Sequence, residues 1–181
     1  RNMVQAAGMY NTLLSGNDPA IVIEPLNGYR LKERLPANLS DYRVALGEPE
    51  IIREGTDITI VSYGSTIRIV EESCDILSKQ GISGEIIDVQ TLLPFDVHHT
   101  ILDSLKKTNR IVFIDEDVPG GAAGYMFSMV MEKQGGYRWL DTAPRTITGK
   151  DHRPSYGSDG DYFSKPNTEE IVSVIMEMMK E

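Results

Sequence analysis

Short, nearly all-apolar segments alternate with amphipathic segments, and this alternation constrains the fold more than any other feature of the sequence. The apolar segments are rich in Ile and Val and cover 57–62, 84–89, 110–115 and 145–149. An interrupted edge strand is predicted before them, over 42–46 and 50–52. Strands that are apolar on both sides belong to sheets covered on both faces, and parallel neighbours need crossover helices. The sequence therefore predicts an α/β fold: a three-layer α/β/α domain with a mostly parallel sheet.

The segments between these strands have the spacing and the end signals of helices. Predicted helices cover 67–79, 97–107, 122–134 and 169–180. Gly81 follows the end of one helix, where glycine supplies a left-handed cap. Gly64 fits a tight turn from strand to helix. Asp96 and Thr168 are predicted to cap the helices that follow them.

The N-terminal part of the chain does not continue this alternation. A helix over 3–14 and a short strand over 20–23 are predicted there. One helix and one strand cannot bury both of their faces by themselves. We therefore assign residues 1–36 to the end of a preceding domain plus a linker, and residues 37–181 to the α/β domain.

Charge and composition exclude several classes of protein. The net charge of −9, from 18 basic and 27 acidic side chains, argues against nucleic-acid binding. No apolar run is long enough to cross a membrane. The single cysteine, Cys74, excludes an internal disulfide and is expected to be a buried thiol in a reducing compartment. The chain starts at Arg1, which suggests a longer parent protein. We expect that parent in the cytoplasm, or in the mitochondrial matrix if it is eukaryotic.

The histidines and the serine after the first parallel strand do not form recognisable reaction centres. His98 and His99 are adjacent on a predicted helix, where neighbours point about 100° apart, so they cannot share one metal ion. Ser65 follows Gly64 without a His and an Asp in a credible triad order. We therefore expect neither a metal site nor a hydrolase.

A glycine-rich stretch, 120–124, follows the strand that ends at Asp115. It could cradle a phosphate on free N–H groups at a helix start, or it could allow close packing of helix on sheet. The acidic run 115–117 would repel a phosphate and favours the second reading. That run is predicted to form a cation-binding rim or a solvated loop, since functional groups gather at the carboxyl ends of strands. Residues 151–166 are predicted to be a mobile polar loop.

Several runs of the sequence resemble the transketolase C-terminal domain family. They include LGEP at 46–49, REGTDITIVSYG at 53–64, GISGEIIDVQTLLPFD at 81–96, DE at 115–116 and LD at 140–141. Upstream, 13–29 resembles the end of the neighbouring pyrimidine-binding domain. The resemblance implies a five-stranded mixed sheet whose first strand is antiparallel.

Within the family, the best match is the beta part of branched-chain 2-oxoacid and pyruvate dehydrogenases, and 23–30 looks most like fused alpha–beta forms. The resemblance implies a parent that decarboxylates a 2-oxoacid, with branched-chain acids favoured. Thiamine diphosphate and Mg²⁺ are its cofactors, and the acyl group passes to the lipoyl group of an acyltransferase core. The cofactor-activating glutamate and the Mg²⁺ site of the family lie outside the matched residues. No catalytic, cofactor-binding or metal-binding residue is therefore assigned, and the chain alone is expected to be inactive.

The resemblance also implies homodimer contacts, contacts with the remaining alpha and beta parts, and a docking face for the acyltransferase core. The residues that match the docking position are Asp141 and Glu181. An exposed carboxylate that meets an Arg or Lys of a partner is physically sensible there, although an ordinary surface acid is the alternative. The sequence departs from the family at 142–144 and 151–157, which leaves the docking geometry open.

Other assignments are compatible with the same pattern. The domain could come from a pyruvate or acetoin dehydrogenase, from a transketolase or from a deoxyxylulose-phosphate synthase. The sugar-phosphate enzymes would need a basic pocket for the phosphate. The acidic run 115–117 at a strand end argues against such a pocket. A non-catalytic interaction module unrelated to thiamine is the remaining alternative.

Overall fold

The protein folds around a five-stranded mixed sheet in the order β1-β3-β2-β4-β5. A computed structural model describes residues 1–153, 156–157 and 160–181, without the side chain of Asn27. β1 is antiparallel to β3, and the remaining neighbours are parallel. The strands are β1 (Glu50–Arg53), β2 (Ile58–Ser62), β3 (Gly84–Asp88), β4 (Ile111–Ile114) and β5 (Arg145–Ile147). The predicted fold class and the antiparallel first strand are confirmed.

Helices cover both faces of this sheet. The α-helices are α1 (Met3–Leu14), α2 (Thr66–Lys79), α3 (Thr100–Thr108), α4 (Ala122–Phe127), α5 (Gly160–Ser164) and α6 (Thr168–Met178). The helix predicted over 122–134 changes after Phe127 into a π-helical turn, Ser128–Lys133. Two 3₁₀ turns cover Leu26–Arg30 and Gly136–Trp139.

Alternate strand residues build two separate cores, one on each face. On β4, Val112 and Ile114 face α2 and α6, while Ile111 and Phe113 face α3 and the α4 region. This alternation follows from the pleat, which points successive side chains to opposite faces. All four residues are fully buried, which explains why the strand is apolar throughout.

Two predicted helix caps differ from the structure. α3 begins at Thr100 rather than Val97, yet the Asp96 carboxylate still accepts the N–H groups of Thr100 (2.7 Å) and Ile101 (3.1 Å). Thr168 was the wrong cap for α6: Asn167 accepts the N–H of Glu170 at 2.9 Å. Both residue types can cap, and only the backbone conformation of Asn167, which is extended, shows which one does.

Two predicted strands are absent from the described part of the N-terminal region. Residues 20–23 have no neighbouring strand, and Ile21 and Ile23 are 92% and 83% exposed. Residues 42–46 are held by α1 instead of by the sheet: Val44 donates its N–H to the carbonyl of Gly8 at 3.3 Å. Both segments have strand-like composition, but a strand needs a neighbour with free ladder groups.

Three smaller predictions have mixed outcomes. Cys74 is buried, and both Gly64 and Gly81 have positive φ angles, at +63° and +82°, as their turn and cap roles require. The predicted loop 151–166 contains the short helix α5. Within that loop, residues 154–155 and 158–159 lie outside the described residues. The division of the chain at residue 36 remains a prediction.

Candidate docking site

The fold brings Asp141 and Glu181 to one corner of the molecule, beside β5, one of the two edge strands of the sheet. Glu181 follows α6, and the hydroxyl of Thr142 donates a hydrogen bond to its carboxylate. Arg145, at the start of β5, pairs with the same carboxylate at 2.6 Å between Nη2 and Oε1. The residue next to Asp141 therefore contacts Glu181 directly.

Asp141 is held by its backbone and leaves its side chain exposed. Its N–H donates to the carbonyl of Asn109 at 2.9 Å. Asn109 ends α3 in the left-handed conformation, with φ +57°. Leu140, just before Asp141, packs against the core cluster on the α3 face. The main chain is therefore anchored at Asp141 and just before it, while the carboxylate reaches solvent.

The two acids differ in the partners they already have. The hydrogen bonds from Thr142 and Arg145 lower the pKa of Glu181 and so stabilise the anion that a glutamate already is at neutral pH. Across the described ranges, no cation is recorded in an ion pair with Asp141. Sequence reasoning missed the contribution of Arg145. The available signal was a cation placed four residues after Asp141 on an edge strand.

A hydrogen bond within the chain bridges the usual ligand crevice of this topology. In open doubly wound sheets, ligands bind between two adjacent strands whose following helices lie on opposite faces. Here these strands are β2, followed by α2 on one face, and β4, followed by α4 on the other. The hydroxyl of Tyr63, after β2, donates to Asp115, after β4, at 2.7 Å. Burial and the Asp115 carboxylate raise the pKa of Tyr63, so its hydroxyl stays a donor.

The burial of Asp115 contradicts the prediction that residues 115–117 form a cation-binding rim or a solvated loop. It is 1% exposed and accepts the N–H groups of Asp117 and Ala123, both at 3.1 Å. Since Ala123 is the second residue of α4, this internal carboxylate takes the place that a phosphate would need. A Cβ on Gly121 would lie 2.4 Å from the Asp117 side chain, so the glycine there serves close packing. Of the acidic run, Glu116 and Asp117 are exposed as predicted.

Other surface features do not assemble reacting groups. Two shallow cavities, of about 360 Å³ and 390 Å³, lie beside α1 and between α2 and α6, away from Asp141. No group of three or more His, Cys, Asp or Glu suited to a metal ion occurs among the residues whose structure is described. His98 instead lies 3.4 Å from Glu48. None of the described helices is long and apolar enough to span a membrane.

Residues 47–171 match the family described as the C-terminal domain of transketolase, and the chain belongs to that family. It is 34% identical over 177 residues to the pyruvate dehydrogenase E1 component subunit beta of Acholeplasma laidlawii, covering 97% of this chain and 52% of that protein. It is 36% identical over 134 residues to the mitochondrial 2-oxoisovalerate dehydrogenase subunit beta of Dictyostelium discoideum, covering 72% of this chain and 35% of that protein.

These relatives confirm the resemblance to the beta part of 2-oxoacid dehydrogenases, and they name pyruvate and 2-oxoisovalerate enzymes alike. The chain spans about half the length of the first relative. A solved structure described as a split gene transketolase, inactive beta4 tetramer, superposes with a TM-score of 0.63 at 21% identity. The superposition covers 78% of this chain and 44% of that chain. At 21% identity, the similarity shows the fold alone.

Proposed function

We propose that this chain is the docking and dimerisation domain of the decarboxylating component of a 2-oxoacid dehydrogenase complex. The single observation that carries the proposal is the corner at Asp141: an exposed carboxylate on an anchored backbone, next to the Glu181 anion. The partner that fits this corner is a small basic domain of the lipoyl acyltransferase core. An arginine or lysine of that domain would pair with Asp141.

The proposed partner has to supply the basic side chain that pairs with Asp141. Glu181 is already paired with Arg145, so its charge is partly balanced within the chain. Asp141 is the carboxylate that a second protein can reach. A charge-assisted hydrogen bond at the rim of an interface contributes mainly to the orientation and the association rate of the complex. We therefore expect docking at this corner to weaken as the salt concentration rises.

We assign thiamine diphosphate and Mg²⁺ to other parts of the parent enzyme. The N–H of Ala123, in the first turn of α4, is already capped by the Asp115 carboxylate, so this helix start does not fit a diphosphate, which supports the assignment. The exposed Ile21 and Ile23 fit a segment that completes the sheet of a neighbouring domain. Among 2-oxoacids, we propose branched-chain substrates, converted in the cytoplasm or in the mitochondrial matrix of a eukaryote.

The test is the change Asp141→Asn, which removes the charge and keeps the shape. We expect the affinity for the subunit-binding domain of the acyltransferase from the same organism to fall about fivefold, measured by calorimetry at low salt. The melting temperature should not change, since the Asp141 side chain is exposed.

Glu72→Gln is the matched control, because Glu72 is an exposed acid on the distant helix α2. It should bind as the wild type does. An Asp141→Asn variant with wild-type affinity would remove Asp141 from the docking site and leave the proposal without its main support.

A further inference from the structure

The segment that carries Asp141 is fixed by one side chain outside it. The Asn109 amide Nδ2 donates to the carbonyl of Trp139 at 2.9 Å. The Asn109 carbonyl accepts the N–H of Asp141, also at 2.9 Å. One residue thus holds both ends of the three-residue stretch 139–141, and the left-handed conformation of Asn109 directs both groups to it.

The middle residue of this stretch is held inward and its two neighbours are exposed. Leu140 has φ −90° and ψ 129°, an extended conformation, and packs inward against the core. Trp139, which ends the 3₁₀ turn, and Asp141 are both exposed, one on each side of Leu140 in the chain. Trp139 is 41% exposed, which is a large apolar surface to leave in contact with water.

Because of the charges around Asp141, an aromatic contact would add to the affinity for a partner at this corner. Lys106 is paired with Asp103 at 2.8 Å, and Arg145 is paired with Glu181, so these two cations are balanced. Arg138 is exposed and lies next to Trp139, where its charge offsets part of the attraction of Asp141. A carboxylate alone would give a weak contact here. Burial of the Trp139 indole in an interface would contribute to the binding free energy, and the charge of Arg138 does not offset this contribution.

The ring of Trp139 also attracts cations. The ammonium group of Lys106 already lies 5.8 Å from the ring centroid. A planar guanidinium can stack on an aromatic ring and pair with a carboxylate through the same group. Trp139 and Asp141, two exposed residues on the segment that Asn109 holds, would offer both contacts to one arginine.

We propose that the docking surface continues from Asp141 onto the indole of Trp139, and that Asn109 is the positioning residue that holds the two side chains in register. The ligand is a basic surface that presents an arginine. This inference rests on the proposed function, because the partner is the same subunit-binding domain.

Three variants test the proposal against the same subunit-binding domain. Trp139→Ala should lower the affinity at least fivefold, and Trp139→Phe, which keeps a smaller ring, should lower it less. Asn109→Gly retains the left-handed backbone, which glycine adopts freely, and removes the side chain with its amide while the main-chain carbonyl stays. It should lower the affinity several-fold at an unchanged melting temperature. Trp139 is the only tryptophan in the sequence, so its fluorescence emission gives a second readout of docking.

The outcomes separate this inference from the proposed function. If Asp141→Asn weakens docking while Trp139→Ala and Asn109→Gly bind as the wild type does, the extended surface is wrong and the docking site stands. If Asn109→Gly lowers the melting temperature and leaves the affinity unchanged, Asn109 serves the fold and its positioning role is overturned. Unchanged affinity in all the variants, Asp141→Asn included, overturns the proposed function itself.

Discussion

The carboxylates of Glu85 and Asp115, at the two ends of the sheet, differ from the carboxylate of Asp141, beside β5, in where their partners lie. Glu85, near the amino end of β3, and Asp115, after β4, are at most 1% exposed, and their partners are internal. Asp141, beside β5, is exposed and held only through its backbone. The same chemical group therefore serves the fold where it is buried and is available to another molecule where it is not.

Glu85 shows what a buried carboxylate requires. Burial favours its neutral form, but hydrogen bonds from Lys107, Ser104 and the N–H of Gly55 favour the anion more, and the net result is a pKa below the ordinary value of 4.5. Its Oε2 accepts from Lys107 and, at 3.2 Å, from Gly55. The internal partners offset the cost of removing this charge from water.

The largest expected effect comes from Lys107→Met, which leaves Glu85 buried without its cation. We expect a loss of roughly 3 kcal/mol in the free energy of unfolding, near the low end for broken buried pairs because Lys107 is partly exposed. Urea denaturation at pH 7 measures it. Lys106→Met is the matched control, since its exposed pair with Asp103 should contribute less than about 1 kcal/mol.

The pH dependence of this variant sharpens the same comparison. In the wild type, the pKa of Glu85 is lowered in the folded state, so its contribution is present above pH 4.5 and is lost as the pH falls through the folded value. Without Lys107, burial raises that pKa, and stability should instead fall as the pH rises above 4.5. The difference between variant and wild type should therefore shrink from pH 7 to pH 4. A constant difference would contradict the role given to the pair.

A smaller effect on the free energy of unfolding is expected from Asp115→Asn, at the carboxyl end of β4. The new amide would place a donor near the N–H of Ala123 or the hydroxyl of Tyr63, which both need an acceptor. We expect a loss of about 2 kcal/mol in the free energy of unfolding. Tyr63→Phe removes one hydrogen bond without adding a donor and should cost about half as much. Equal losses in the two variants would show that the carboxylate has no special part in bridging the crevice.

The smallest effect is expected from Glu181→Gln at the exposed edge. Its pair with Arg145 is open to solvent, so the melting temperature should stay within the error of calorimetry. Docking should weaken less than in Asp141→Asn, because Glu181 is already paired within the chain. A clear fall in melting temperature would contradict the contrast between edge and interior.

Local patterns predicted most of the elements and missed those that depend on distant neighbours. The four parallel strands and α2 were found because their apolar residues and end signals lie within the segment itself. Residues 20–23 have the same composition but no neighbouring strand, and the composition cannot show this. The cap of α6 was misplaced by one residue, because Asn167 and Thr168 are both good caps in sequence terms.

The sequence by itself determined the layered α/β class, the order of the elements, the family and the candidate residues Asp141 and Glu181. Only the tertiary structure decided which carboxylates are available. Tyr63 and Asp115 lie 52 residues apart in sequence, and the order of the strands brings them together. Periodicity reports on neighbours within a few residues, whereas burial and ion pairing depend on which elements the sheet places side by side.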